Sequence, residues 1–276
     1  MNHTRTPIAP VQSGYVPVQG LRLYYEIYGE GRPLVLIHGG GSTIHTTFGN
    51  ILPFFADHRK VIAFELQAHG HTEDRPTPSS FEQDADDVVE AMQHLRIPKV
   101  DIFGFSKGGN TAMQVAIRYP GMVRRLVVSS SFYKRDAFSP GFWTMMEDPG
   151  MENMPRSLIG AYLEINPDPQ GLAQMHSRDR IRMLEFRDWP DIWIRGMRIP
   201  TLLIQGDQDV IAPEHAVALF RLLPRGRLII LPGAHGEYLG ESTAAKLGSR
   251  MPELTATLVD DFLNSEELEG DGSSRE

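Results

Sequence analysis

Residues 101–110 read DIFGFSKGGN, and they join an apolar run to a tight glycine-rich turn and the start of a helix-like segment. Gly104 and Gly108 stand two residues on either side of Ser106. Because glycine lacks the Cβ that would clash, the backbone can turn sharply at the serine and push it outward. The pattern predicts either a displayed nucleophile or a glycine-rich turn without function, and the rest of the chain distinguishes the two.

Short apolar runs alternate with helical periods on both sides of this turn. The runs at 33–41 and 60–66 are nearly continuous and β-branched, as expected for strands buried on both faces. Segment 79–95 changes to a helical period, and Ser80 with Gln83, or the pair one residue earlier, supplies a capping box. This alternation predicts an α/β fold, with a largely parallel sheet and helices on both faces. Further strands are predicted at 21–29, 99–105, 123–131, 199–207 and 227–233, and further helices at 107–119, 213–223 and 252–264.

One long segment interrupts the alternation. Residues 132–198 contain all three tryptophans and seven of the twelve methionines, and their prolines separate short helical pieces. The sequence therefore predicts a core of 1–131 and 199–264 with a helical cap, or lid, of 132–198 inserted between two strands. The last residues, 265–276, carry five acids and a single arginine, and we expect them to form a disordered acidic tail.

Composition excludes several classes of function. Half of the net charge of −8 lies in the tail, and the chain has no basic stripe that would predict a nucleic-acid partner. No apolar run approaches the ~20 residues that cross a bilayer, and the N-terminus lacks the apolar core of a secretory signal, so we expect a cytoplasmic protein without a membrane partner. There are no cysteines, which excludes disulfides, thiolate metal sites and a cysteine nucleophile.

Several chemically useful residues follow predicted strands directly. They are Ser106, the glycines of 39–41, Asp207, Asp209 and His235. In open α/β sheets the ligand crevice lies at the carboxyl ends of the strands, so one edge collects a possible nucleophile, acid, base and free backbone amides.

Three motifs give the chain a specific resemblance over residues 20–264. GFSKG at 104–108 matches a nucleophile elbow, HGGG at 38–41 matches an oxyanion loop, and the chain order is serine, then aspartate, then histidine. In these features the chain resembles the α/β-hydrolase superfamily, and above all its capped esterases and carbon–carbon bond hydrolases. The resemblance implies a mostly parallel eight-stranded sheet with the cap after the sixth strand. The chain departs from the family pattern at Glu65 and Ala68, which we expect to affect loop packing and not chemistry.

The resemblance also implies a catalytic triad of Ser106, Asp209 and His235. A serine hydroxyl is a poor nucleophile until a base accepts its proton, and the acid must then orient the imidazole. The resemblance favours Asp209 over Asp207, because in that family the acid usually stands four residues before a proline that opens the next helix, and Pro213 is that proline here. Asp207 is expected to bond the amides of its own turn.

The oxyanion hole is predicted to use two backbone amides. One is the N–H of Lys107 at the helix start, and the other comes from Gly40, with Gly41 as the alternative. The Lys107 side chain is expected to be exposed to solvent, and His38 is expected to brace the glycine loop. The predicted substrate pocket consists of Gly39, His45, Phe138, Trp143 and Met146.

No cofactor is expected, and no metal site. His69 and His71 lack a third ligand at a characteristic spacing. The sequence thus predicts a serine hydrolase that cleaves carboxylic esters of small molecules through an acyl-enzyme. The same triad can serve a carbon–carbon bond hydrolase or a lactonase, and some members of the fold are ligand receptors with low turnover. Acyl length, physiological substrate and oligomeric state stay open.

Overall fold

The strands of the computed structural model, which describes residues 8–147 and 150–266, form one eight-stranded sheet in the order β1-β2-β4-β3-β5-β6-β7-β8. β1 and β2 pair antiparallel, β2 pairs antiparallel with β4, and the other neighbours are parallel. The α/β fold and the mostly parallel eight-stranded sheet predicted from the sequence are therefore confirmed, although the sequence did not locate β1. The strands are β1 Gln12–Val18, β2 Leu21–Tyr28, β3 Arg32–Ile37, β4 Arg59–Glu65, β5 Val100–Phe105, β6 Val123–Ser129, β7 Thr201–Gly206 and β8 Gly226–Leu231.

Helices cover both faces of this sheet. Alternate residues of β3 point to opposite sides, with Val35 and Ile37 in one apolar cluster and Leu34 and Leu36 in the other. The helices are α1 Ile44–Phe48, α2 Leu52–Ala56, α3 Phe81–His94, α4 Lys107–Arg118, α5 Pro140–Glu147, α6 Arg156–Ile165, α7 Pro169–Glu185, α8 Asp191–Gly196, α9 Pro213–Leu222 and α10 Met251–Asn264.

The two apolar clusters show which helices lie on which face. Residues of α3, α4 and α9 pack on the Val35 side, and residues of α1, α2 and α10 pack on the Leu34 side. α3 begins where a capping box predicted it, because the Ser80 hydroxyl accepts from the Gln83 amide at 3.1 Å. Both layers together fix the carboxyl ends of β3 to β8 at one edge, and this edge is called the catalytic edge below.

The helices α5 to α8 all lie between β6 and β7 in the chain. Prolines occupy the first helical position of α5 and α7, where a missing amide costs nothing. We call 132–198 the helical segment. The predicted acidic tail falls outside the described residues from 267 onward. Within the described ranges, no helix is both long enough and apolar enough to cross a membrane.

Candidate active site

Ser106 lies at the turn between β5 and α4 with φ 54° and ψ −124°. The positive φ belongs to Ser106 itself, and the flanking glycines leave space for the backbone atoms that pack against the turn. A Cβ on Gly104 would lie 2.3 Å from the Gly108 carbonyl oxygen, and one on Gly108 would lie 2.2 Å from the Ile37 carbonyl oxygen. Helix α4 can thus sit against β3 and β5 only because both positions lack a side chain. The strained serine is thereby held at the catalytic edge.

A hydrogen-bonded chain runs from Ser106 through His235 to Asp209. The Ser106 Oγ lies 3.1 Å from the His235 Nε2, and the His235 Nδ1 lies 2.8 Å from the Asp209 Oδ1. The carboxylate accepts from the Nδ1–H, which leaves Nε2 free to accept the serine proton. The Asp209 side chain is fully buried, whereas 28% of the His235 side chain is exposed. These are the distances expected of a nucleophile, a base and the acid that orients it.

Asp209 is held by more than the imidazole. Its Oδ1 accepts from the Ile211 amide at 3.1 Å, and its Oδ2 accepts from the Ser130 hydroxyl at 2.5 Å. Burial alone would raise the pKa of the Asp209 carboxyl, but the bonds from His235, Ser130 and Ile211 hold that pKa below its usual value. The Ser130 hydroxyl also bonds the Tyr238 hydroxyl at 2.6 Å.

Sequence reasoning missed Ser130 and Tyr238. Ser130 follows β6 directly, inside a run of three serines at the catalytic edge, and that position was the available signal. Tyr238 carries no such signal, because only the folded chain brings it to Ser130.

Asp207 takes a different position from the one expected. Its exposed carboxylate accepts from the Gly233 amide at 2.8 Å, which belongs to the loop that carries His235 and not to its own turn. The expected local role was therefore wrong, because the loops after β7 and β8 lie side by side. Asp209 alone of these two aspartates contacts the imidazole.

Of the amides predicted for the oxyanion hole, that of Lys107 directly follows Ser106 in the chain. Lys107 is the first residue of α4, so its N–H is at a helix N-terminus, where partial positive charge accumulates. The Gly41 amide already donates to the Asp179 Oδ2 at 2.6 Å and faces the His69 Nε2 at 3.2 Å. This geometry favours Gly40 over the alternative Gly41 as the second donor.

His38 makes both contacts that a brace requires. Its Nε2 accepts from the Leu66 amide at 3.0 Å, and its Nδ1 donates to the Gly39 carbonyl at 2.7 Å. Complete burial lowers the pKa of His38 to about 3, so the imidazole is neutral at pH 7. The ring therefore ties the glycine loop to the end of β4.

The Lys107 side chain is not exposed as expected. Only 17% of it is accessible, and its Nζ lies 3.3 Å from the Asp179 Oδ2 on α7. The Lys107 side chain passes over Gly40, where a Cβ would lie 2.5 Å from the Lys107 Cδ. Burial lowers the pKa of Lys107, and the Asp179 carboxylate partly offsets that effect. The Lys107 side chain is therefore paired with a buried carboxylate of another helix, whereas the sequence predicted exposure to solvent.

A cavity of about 230 Å³ lies between the glycine loop, which contains Gly40 and Gly41, and the helical segment. Met146, one of the predicted pocket residues, contributes to its wall. Gly39 lies outside this lining but close to the nucleophile, since a Cβ there would be 3.4 Å from the Ser106 Cβ. The cavity is lined by Gly40, Gly41, Lys107, Met145, Met146, Gly150, Asn153, Met154, Pro155, Leu158, Met175, His176, Asp179 and Arg180.

Three further predicted pocket residues also lie outside this lining. Phe138 is buried in an aromatic cluster and stacks on Phe142 at 4.1 Å between ring centroids. Trp143 donates from its indole to the Arg135 carbonyl at 3.0 Å, under the Arg135 guanidinium. His45 faces Glu26 at 3.3 Å. Aromatic packing and an ion pair thus direct these side chains elsewhere.

Side chains that could hold a metal ion were also considered. Across residues 8–147 and 150–266, no group of three or more histidine, aspartate or glutamate side chains is arranged to bind one. His69 faces Asp179 at 3.2 Å, and His71 faces Glu65 at 2.8 Å. Both histidines thus belong to hydrogen-bonded loop contacts.

Comparisons with known proteins agree with this fold. A family model described as the alpha/beta hydrolase fold matches residues 32–171. A 2-hydroxymuconate semialdehyde hydrolase from a Pseudomonas species is 30% identical, over 88% of this chain and 91% of the relative. The human serine hydrolase BPHL is 29% identical, over 83% of this chain and 82% of the relative. The solved structure of a meta-cleavage product hydrolase from Pseudomonas fluorescens superposes with a TM-score of 0.75 at 24% identity, over 92% of this chain and 98% of that one.

Proposed function

Because this chain belongs to the alpha/beta hydrolase fold family, whose relatives here are hydrolases of small molecules, we propose that it is a serine hydrolase that cleaves carboxylic esters. The observation that supports this most is the hydrogen-bonded chain Ser106–His235–Asp209, at 3.1 and 2.8 Å. In this proposal Ser106 is the nucleophile, His235 the general base and Asp209 the acid that orients it.

The first half-reaction makes an acyl-enzyme. The Ser106 Oγ attacks the ester carbonyl carbon while its proton passes to the His235 Nε2. The carbonyl oxygen becomes an oxyanion, which accepts from the amides of Lys107 and Gly40. The pKa of the buried Asp209 carboxyl is lower than usual, so the group is ionised and stabilises the imidazolium. When the carbon–oxygen bond breaks, the imidazolium gives its proton to the departing alcohol.

The second half-reaction returns the free enzyme. Water attacks the acyl carbon, His235 accepts its proton, and a second oxyanion forms against the same two amides. Collapse of this intermediate releases the carboxylic acid, and the proton on His235 returns to the Ser106 oxygen. Each step uses only groups of the catalytic edge, so the proposal requires no cofactor.

In this proposal the helical segment is a cap and its cavity receives the substrate. Four methionines line the cavity beside Lys107 and Gly40. Methionine is unbranched and adapts to irregular shapes, so a lining of this kind favours apolar groups of varied length. The single aspartate of the lining, Asp179, is paired with Lys107, and the lining also contains the guanidinium of Arg180. We therefore expect neutral apolar esters to bind better than cationic ones.

A second candidate is cleavage of a carbon–carbon bond. It is favoured by the 30% identity to 2-hydroxymuconate semialdehyde hydrolase over most of both chains. The same serine, base and oxyanion amides would serve that reaction, so only the substrate separates the two candidates.

A direct comparison of substrates tests the proposal. Purified protein is assayed with p-nitrophenyl esters from acetate to decanoate and, in parallel, with a 2-hydroxy-6-oxo-2,4-dienoate. We expect kcat/KM to be at least tenfold higher on the best ester than on the dienoate. The reverse ranking would make carbon–carbon bond cleavage the function, and no turnover of either substrate would overturn both candidates.

A further inference from the structure

Asp179 is an acid of the helical segment that reaches the catalytic edge. It lies on α7 and is only 6% exposed. Its Oδ2 accepts from the Gly41 amide at 2.6 Å and lies 3.2 Å from the His69 Nε2 and 3.3 Å from the Lys107 Nζ. A backbone amide, an imidazole nitrogen and an ammonium group from three separate parts of the core thus converge on one oxygen of α7.

The contact with Gly41 fixes the backbone next to the proposed oxyanion donor. A hydrogen bond from a backbone amide to a carboxylate is shorter and stronger than one to a neutral acceptor. The Gly41–Asp179 distance of 2.6 Å is short even for a hydrogen bond of this kind. Gly41 has φ +67°, and the Lys107 side chain crosses Gly40 on its way to Asp179. The peptide between Gly40 and Gly41 is therefore bonded to the carboxylate through the Gly41 N–H, and the Lys107 side chain packs against Gly40.

Stability alone accounts poorly for this arrangement. Burial would raise the pKa of Asp179, but Lys107 and His69 hold that pKa well below its usual range, so the carboxylate stays charged. Buried ion pairs add little to stability because desolvation offsets their attraction. The other oxygen, Oδ1, is buried with no hydrogen-bond partner among the described residues. The Asp179 carboxylate thus faces the glycine loop with its Oδ2, while its Oδ1 makes no hydrogen bond to the described residues.

Other ion pairs already dock α7 on the core. Arg182 pairs with Asp84 at 2.5 Å, both buried, and Arg178 pairs with Asp74 at 2.9 Å. Asp179 is therefore not needed to attach the helix, although it lies between the other two on the same turn. Of these three side chains of α7, it is Asp179 that bonds the Gly41 amide.

We infer that Asp179 is a positioning residue for the oxyanion hole, so that the helical segment completes the catalytic edge as well as covering it. This inference rests on the proposed serine hydrolase function. Asp179 lines the cavity, but in this role it bonds the Gly41 amide and not the reacting groups Ser106 and His235. It holds Gly41, and through Gly41 it orients the Gly40 amide toward the oxyanion.

The kinetic test compares Asp179→Ala with Arg178→Gln. Loss of one oxyanion donor in a serine hydrolase costs about 10²–10³-fold in turnover. We expect Asp179→Ala to lower kcat by about 10²-fold with KM unchanged, and by the same factor on short and long esters. Arg178→Gln breaks the neighbouring ion pair of α7 and should retain kcat within about twofold. An equal loss in both variants, or a loss that depends on ester length, would overturn the inference.

A double variant separates positioning from charge neutralisation. Asp179→Ala leaves Lys107 buried without its partner, so we also use Lys107→Met/Asp179→Ala, in which both charges are absent. If Asp179 positions the loop, the double variant stays as slow as Asp179→Ala. If its only task is to neutralise Lys107, kcat returns toward the wild-type value and the inference fails.

A transition-state analogue and hydrogen exchange supply independent readouts. A trifluoromethyl ketone adds the Ser106 oxygen and forms a hemiketal oxyanion, so its Ki should rise in parallel with the loss of kcat/KM. Amide hydrogen exchange of the peptide 38–44 should become faster in Asp179→Ala and in the double variant, but not in Arg178→Gln. This exchange does not depend on ester turnover, so an inactive wild type would overturn the proposed function alone, and unchanged exchange would overturn the role of Asp179.

Discussion

The catalytic edge and the helical segment meet at one cavity but are built in different ways. On the edge, short loops follow parallel strands, and the nucleophile, base and acid are held by backbone turns and hydrogen bonds of 2.5–3.1 Å. In the helical segment, methionines line the cavity and α7 is attached by ion pairs. Hydrogen-bonded turns fix atoms closely, whereas methionine-rich surfaces adapt. Chemistry should therefore depend on the edge, and substrate choice on the segment, with Asp179 as the exception that links them.

The largest effect is expected on the catalytic edge, at Ser106. Ser106→Ala removes the only atom that can form the proposed acyl-enzyme, so kcat should fall about 10⁴-fold or more on every ester. Steady-state assays across the ester series measure this loss, with thermal unfolding as the control for folding. Substantial activity on any ester would show that the edge does not supply the chemistry alone.

The next largest effect separates the two aspartates after β7. Asp209→Asn cannot stabilise the imidazolium and selects the wrong tautomer, which costs roughly 10³–10⁴-fold in comparable triads. Asp207→Asn is the matched control, because the exposed Asp207 side chain bonds the Gly233 amide and not the imidazole, so this substitution should cost less than tenfold. The opposite ranking of kcat, with both variants folded, would assign the acid to Asp207.

A moderate effect is expected on selectivity in the helical segment. Met146 lines the cavity, so Met146→Ala should shift the preferred ester toward longer chains, by about 1–3 kcal/mol of discrimination per methylene. Turnover of the acetate ester should change little. Trp143 lies on the same helix but outside the lining, so Trp143→Leu should leave the chain-length profile as it is. Equal profiles in wild type and Met146→Ala would remove substrate selection from this cavity.

The smallest effect concerns Ala68, where a core loop contacts the helical segment. Its φ is +68°, and its methyl packs with Met154, Leu158 and Met175. A β-branched residue is strained at such an angle and also overpacks the contact, so Ala68→Val should lower the free energy of unfolding by about 1–3 kcal/mol. Ala68→Gly should change it by less than about 1 kcal/mol, because relief of the angle offsets the lost burial. Urea denaturation measures both, and a fully stable Ala68→Val would contradict the strain.

The same contrast explains what the sequence could predict. Strand periodicity and the spacing of Gly104, Ser106 and Gly108 are local signals, so they located the elbow and most of the sheet. Asp207, Asp209 and His235 became candidates because they follow strands whose carboxyl ends reach the same edge, and the spacing to Pro213 expected from the family resemblance selected Asp209. β1 was missed because its alternation is interrupted by Gly14 and Pro17.

The contacts of the helical segment left no comparable signal. Phe138 and Trp143 were predicted to line the pocket from their apolar character, but such side chains pack equally well into an aromatic cluster. The Lys107 side chain was expected to be exposed because its partner, Asp179, stands seventy-two residues later on another element. Pairings across such a distance depend on how the helices dock, and no periodicity encodes that.

Covalent labelling tests the central claim most directly, because it reports on the nucleophile without assuming a substrate. The protein is treated with a fluorophosphonate, and the modified residue is located by peptide mass mapping. The account predicts one adduct per chain, on Ser106, and none in Ser106→Ala. An adduct on another serine, or an unmodified Ser106 in folded protein, would contradict it.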